Sequence, residues 1–142
     1  MHIVLGADHG GWELKNELRD RLAAEGHRVE DLGTNGPESV DYPDVAKLVA
    51  GRVAADHADR GILVCGTGQG MNMAANKVQG VRAAVVSDTF SARMASEHND
   101  ARVLCIGARV VGSELAWACV DAWLGAEFGG GRHQRRVDKI AG

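Results

Sequence analysis

Cys65 ends the apolar run Ile62-Leu63-Val64-Cys65 and is followed at once by Gly66-Thr67-Gly68-Gln69-Gly70. The thiolate is the reactive form of cysteine, with an ordinary pKa of about 8.5. Glycines at 66, 68 and 70 let backbone N–H groups converge on a ligand oxygen. The breaker-free stretch Met71 to Lys77 predicts a helix with its positive end facing that loop, where a thiolate is favoured. The spacing matches no nucleotide motif: a phosphate-loop lysine is missing, and a dinucleotide fingerprint needs glycine at Met71. An inert core cysteine is the alternative for Cys65. Packing is the better reading for Cys105, in an apolar strand, and for Cys119, on an amphipathic helix.

Three further groups carry polar chemistry. Asp8-His9 places a carboxylate and an imidazole at the end of the first apolar run, and the alternative is a solvated loop in which Asp8 caps the next helix. Glu97-His98-Asn99-Asp100 contains a group that titrates near neutral pH, although a helix C-terminus favours a histidine there through its dipole alone. Arg132 and Arg136 lie four apart, on one face if their segment is helical, and Arg109 is a further isolated cation. Forked donors of this kind suit a phosphate. The alternative is an ordinary basic end, or an arm that swings on Gly129-Gly130-Gly131 to a neighbouring subunit.

These groups need elements to hold them, and the apolar pattern supplies five strands alternating with helices. Strands are predicted at His2–Ala7, His27–Leu32, Ile62–Cys65, Val81–Val86 and Ala101–Gly107. The first helix buries Leu14, Leu18 and Leu22 and stops at Gly26. The second follows Asp41-Tyr42-Pro43-Asp44 and buries Val45, Leu48, Val49 and Val53. The fourth is capped by Ser87-Asp88 and runs through Glu97, and the fifth spans Ser113–Leu124 with Leu115, Cys119, Val120 and Trp123 on one side. The fold class is α/β: a doubly wound, Rossmann-like five-stranded parallel sheet with helices on both faces and a C-terminal arm at 129–142. Ligands of such sheets bind beyond the carboxyl ends of the strands, where Asp8-His9 and Cys65-Gly66 can share a crevice.

At 142 residues the chain suits one domain over 1–142. A net charge of -3 with mixed signs argues against nucleic-acid binding, and no apolar stretch reaches membrane-spanning length, so a cytoplasmic location is expected. Three cysteines without CxxC spacing argue against disulfide or zinc frameworks.

Taken together, Gly6-Ala7-Asp8-His9-Gly10-Gly11, Asp41-Tyr42-Pro43, Cys65-Gly66-Thr67-Gly68, Ala74-Ala75-Asn76-Lys77, Glu97-His98-Asn99-Asp100 and Gly130-Gly131-Arg132-His133-Gln134 resemble the type B ribose-5-phosphate isomerases along essentially the whole chain. Relatives in that superfamily act on allose 6-phosphate, galactose 6-phosphate and tetrose phosphates. The resemblance implies an aldose–ketose isomerase with a sugar-phosphate substrate and no metal or other cofactor, assembled as a homodimer or tetramer with sites at the subunit interface. It implies Cys65 as the base between C2 and C1, His98 as the group that assists ring opening, and Thr67 as support for proton movement. Asp8 and Asn99 would hold sugar oxygens, and His9, Arg109, Arg132 and Arg136 the phosphate. Backbone N–H groups from Gly66 through Gly68 and Gln69 to Gly70 would face developing negative charge.

A second branch of the family carries a glutamate base where this chain has Met71, so Cys65 points to the cysteine branch. Met71-Asn72-Met73 is bulkier than the family's usual segment, which bears on substrate length, while His9 leans towards a ribose-type enzyme. The competing expectations are the same chemistry on a tetrose phosphate or 6-phosphohexose, a metal-dependent isomerase, and a regulatory module that binds a phosphosugar without turnover.

Overall fold

In the computed structural model, which describes residues 1–140, the elements alternate as the apolar pattern requires. They are β1 (His2–Ala7), α1 (Trp12–Ala24), β2 (Arg28–Asp31), α2 (Tyr42–Ala54), β3 (Arg60–Cys65), α3 (Gln69–Ala75), β4 (Ala83–Val85), α4 (Thr89–Glu97), β5 (Val103–Gly107), α5 (Ser113–Gly125) and α6 (Arg132–Ile140). All strand pairs are parallel and the order is β2-β1-β3-β5-β4. The chain moves outward from β1 to β2 and then, from β3, towards the other edge. The switch point therefore lies between β1 and β3.

Side chains on the central strands alternate between two cores. Ile3, Leu5, Ile62, Val64, Leu104 and Ile106 pack with α1, α4 and α5. Val4, Leu63, Cys65, Val103 and Cys105 pack with α2 and α3. Burial on both faces is what makes these strands continuous apolar runs.

The boundaries differ from the sequence reading where packing, not hydrophobicity, decides. Strand β4 is three residues long at one edge and β2 four at the other. Helix α3 begins two residues before Met71, because Gly68 enters the left-handed region (φ 79°) and serves as its N-cap. Leu48 and Leu115 are 50% and 41% exposed. The buried stripes run instead through Ala46, Val49, Ala50 and Val53, and through Ala116, Cys119, Val120 and Trp123, since small residues let the helices approach the sheet closely. Leu14, Leu18 and Leu22 form the buried stripe of α1, and Gly26 ends that helix with φ 91°. Asp88 caps α4 by accepting the N–H of Ser91 at 2.6 Å. Of the 129–142 arm, Arg132–Ile140 is helical, and the last two residues lie outside the described residues.

Candidate active site

The carboxyl ends of β1 and β3 bring Asp8 and Cys65 to one crevice. The Asp8 N–H donates to the Val64 carbonyl at 3.2 Å. Asp8 does not cap α1: its Oδ1 accepts the N–H of Gly10 at 2.8 Å, and the helix N-cap is Gly11. This local turn holds the carboxylate, 8% exposed, at the end of the strand.

Cys65 is 5% exposed and its Sγ accepts the N–H of Gly68 at 3.1 Å. A backbone donor is thus aimed at the sulfur, where it can hold negative charge. The turn is possible because Gly68 adopts φ 79°, a region that L side chains rarely enter. Thr67 and Gln69 are exposed on the rim, and Thr67 Oγ1 accepts the Gln69 N–H at 3.3 Å. The two residues just past β5 brace the loop: Ala108 N–H donates to Cys65 O at 2.8 Å, and Arg109 N–H to Gly66 O at 3.0 Å. A methyl on Gly66 would stand 3.6 Å from the Arg109 side chain, which places this guanidinium beside the loop.

His9 is exposed, and its Nδ1 accepts the N–H of Val40 at 3.2 Å. It lines a cleft of about 340 Å³ between the N-terminal ends of α1 and α5, together with Gly10, Gly11, Ala108 and Gly112. Met71 is fully buried in the same core cluster as Cys65, whereas Met73 is 65% exposed. Asn72 Oδ1 is buried and has no hydrogen-bond partner among the described residues.

Four expected site residues stand elsewhere within this chain. His98 is the C-cap of α4, and Asn99 follows it into the turn that leads to β5. Arg82, the residue before β4, donates to the Asn99 carbonyl. Ala83 pairs with Val103 and Val103 with Gly61, whereas Cys65 pairs with Gly107 four residues further along. At ~3.3 Å per residue the two levels are about 13 Å apart along the strands, so His98 and Asn99 lie at the opposite end of the sheet from Cys65. The arm joins them there. Gly129 N–H donates to the Glu97 carbonyl at 2.9 Å, and the His133 ring stacks on His98 with centroids 4.2 Å apart and planes 14° apart. Burial, then the neighbouring His98, Arg132 and Arg136, push the His133 ring below the ordinary histidine range. Arg132 and Arg136 are exposed, one turn apart on α6.

Sequence reasoning did not single out Tyr42, His133 or Lys15. A methyl on Gly70 would run into the Tyr42 ring, which brings that ring to the loop. Lys15 is fully buried, and its Nζ donates to both oxygens of Asp31 at 2.6 Å and to Asn35 Oδ1 at 2.7 Å. Asp31 Oδ1 also accepts the Gly33 N–H, and Gly33 and Thr34 clasp Ala7 with bonds of 2.7 and 2.8 Å. A lysine within the Leu14–Leu22 stripe was the available signal.

The family model described as Ribose/Galactose Isomerase matches residues 3–140. The chain is 51% identical over 138 residues to ribose-5-phosphate isomerase B of Escherichia coli, covering 97% of this chain and 93% of that protein. It is 45% identical over 141 residues to D-erythrulose-4-phosphate isomerase of Pectobacterium atrosepticum, covering 99% and 93%. Among solved structures it is similar to ribose-5-phosphate isomerase B from Mycoplasma genitalium with bound ribulose-5-phosphate. The TM-score is 0.95 and the identity 46%, over 99% of this chain and 93% of that one.

Proposed function

Because the chain belongs to the ribose/galactose isomerase family, we propose that it interconverts ribose 5-phosphate and ribulose 5-phosphate through an enediolate, with Cys65 as the base. It is a sugar-phosphate isomerase of the ribose-5-phosphate isomerase B type. The observation that carries the choice of base is the Cys65 sulfur at the switch point, receiving the Gly68 N–H beside Asp8.

In the open-chain aldose the thiolate takes the C2 proton, and the C–H electron pair forms the C1–C2 double bond as negative charge moves to O1. Protons are exchanged between the two oxygens with help from Thr67. The thiol then returns its proton to C1, leaving a carbonyl at C2. Base assistance of this kind contributes roughly 10²–10⁴ in rate, and losing one donor to the developing oxyanion commonly costs about 2.7–4 kcal/mol. Asp8 holds a sugar hydroxyl. The remote phosphate, held by His9 and the arginines, turns binding energy into orientation of the reacting carbon.

His98 protonates the ring oxygen as the furanose opens. It stands at the far end of its own sheet, so the reading requires a second copy: one subunit supplies Asp8, His9, Cys65, Thr67 and Arg109, its partner His98, Asn99, Arg132 and Arg136. The exposed arginines of α6 and the exposed Asn99 support that division. No metal takes part, and the site lies in the cytoplasm, where phosphorylated sugars are kept.

The test is incubation with ribose 5-phosphate in D₂O, following ribulose 5-phosphate and C2 deuterium by NMR with and without a chelator. Cys65→Ala is expected to lower turnover by about 10²–10⁴ while the sugar phosphate still binds. Native protein that gives neither product nor exchange ends the ribose reading. The 45% identity to a D-erythrulose-4-phosphate isomerase favours a second reading, the same chemistry on a tetrose phosphate, and D-erythrulose 4-phosphate belongs in the same experiment.

A further inference from the structure

We propose that Arg82, a residue that touches none of the reacting groups, is the positioning residue of the His98–Asn99 turn. The inference rests on the reading of His98 as the ring-opening group. Arg82 Nε donates to the Asn99 carbonyl at 2.9 Å, and one terminal nitrogen donates to both the Asp100 carbonyl and Asp100 Oδ2 at 3.1 Å. Three acceptors on two consecutive residues are thus gathered by one planar fork, a geometry a lysine ammonium does not reproduce. Two of them are carbonyls of the turn just past the end of α4, where no helix or sheet ladder pairs them. Asp100 sits at φ 47°, a left-handed conformation that aspartate tolerates but that needs support from its surroundings.

Arg82 is itself anchored. Asn76, at the end of α3, receives the Ala83 N–H and donates to the Ala83 carbonyl, each at 2.9 Å, fixing the backbone next to Arg82. The inner side of the turn has other supports. Asp100 N–H donates to Ser96 O, Ala101 N–H to Ala95 O, Ser96 Oγ to Trp123 O, and the Trp123 indole to Ala101 O. These bonds do not involve Arg82, so its loss frees the outer face, which carries His98 and Asn99, without dismantling the α4–β5 connection.

Ribulose 5-phosphate cannot close to a furanose, since its 5-oxygen carries the phosphate. Solvent exchange at its C1 therefore reports proton transfer without ring opening, and ribose 5-phosphate turnover reports both. With Arg82→Met, turnover of ribose 5-phosphate is expected to fall about 10- to 100-fold and C1 deuterium exchange into ribulose 5-phosphate by a much smaller factor, since Asn99 moves with the turn, a split in the same direction as that expected of His98→Asn. Arg82→Lys, which keeps charge and stem, gives an intermediate split and carries the test if the methionine variant does not fold. The inference is overturned if the Arg82 variants keep native turnover or lose both activities equally while His98→Asn shows the split. If His98→Asn itself loses both equally, the ring-opening reading fails and takes the Arg82 inference with it.

Discussion

Gly107 has no functional group, yet a methyl placed there would stand 2.6–2.7 Å from backbone atoms of Thr67. Its absence sets how closely the Cys65 loop settles on β5. Gly107→Ala is expected to cost about 1–3 kcal/mol through overpacking and, because the strain falls on Thr67, to lower kcat/KM in the isomerase assay by more than the stability loss explains. Burial pushes the Cys105 and Cys119 thiols up, which disfavours the reactive thiolate at both. Cys105→Ala and Cys119→Ala should lower the thermal midpoint yet leave kcat near native, separating packing cysteines from the proposed base. The cysteine loop was legible in the sequence because its parts are contiguous, from Cys65 to Gly70. Arg82 was not, since its partners lie 17–18 residues away and no local periodicity announces it; Lys15 showed only as a lysine within an apolar stripe, with its partners 16–20 residues away.

Helix α1 and the edge strand β2 are joined by a charged clamp beneath the Asp8 end of β1. Burial lowers the Lys15 ammonium's pKa even against the pull of Asp31. Burial raises that of the Asp31 carboxyl, but the bonds from Lys15, Gly33 and Arg19 together outweigh it and hold the group below the usual carboxylate range. On the same strand Glu30 is held low by Arg52 and then His2. A carboxylate with a lowered folded pKa contributes stability that is present above its unfolded pKa of ~4 and lost as pH falls through the folded value. Urea midpoints should thus be flat in these groups near neutrality and drop as pH falls below about 4. Asp31→Asn strips the buried lysine of its counter-charge and is expected to cost about 3 kcal/mol at pH 7, with a shallower acid slope. The five strands and their parallel class were readable because the central ones are apolar on both faces. The helix faces were read less well. Leu48 and Leu115 outrank alanine in hydrophobicity, but Ala46, Ala50 and Ala116 are the residues that fit against the sheet.

Across the whole molecule, the separation of Cys65 from His98 makes the proposed site a property of two chains. Mixing Cys65→Ala with His98→Asn after co-refolding should restore roughly one quarter of native activity, since half the dimers are hybrids and each hybrid holds one intact site. Mixtures that stay inactive while hybrids are demonstrated by mass spectrometry would refute the shared site. Adjacent residues such as Asp8-His9 could be placed from sequence through the strand they end, but the level of His98 depends on the strand order β2-β1-β3-β5-β4, which local pattern does not specify. That order has a further consequence during synthesis. β5 is made last yet lies between β3 and β4, so β4 leaves the ribosome with no sheet neighbour available to it. At ~5–20 residues per second the nascent chain exposes the open edges of β3 and β4 for about a second or more before β5 can fill the gap. Chains stalled before Val103 should leave the β4 amides unprotected in hydrogen exchange and depend most on chaperones, because the last strand to be made is the one that closes the sheet.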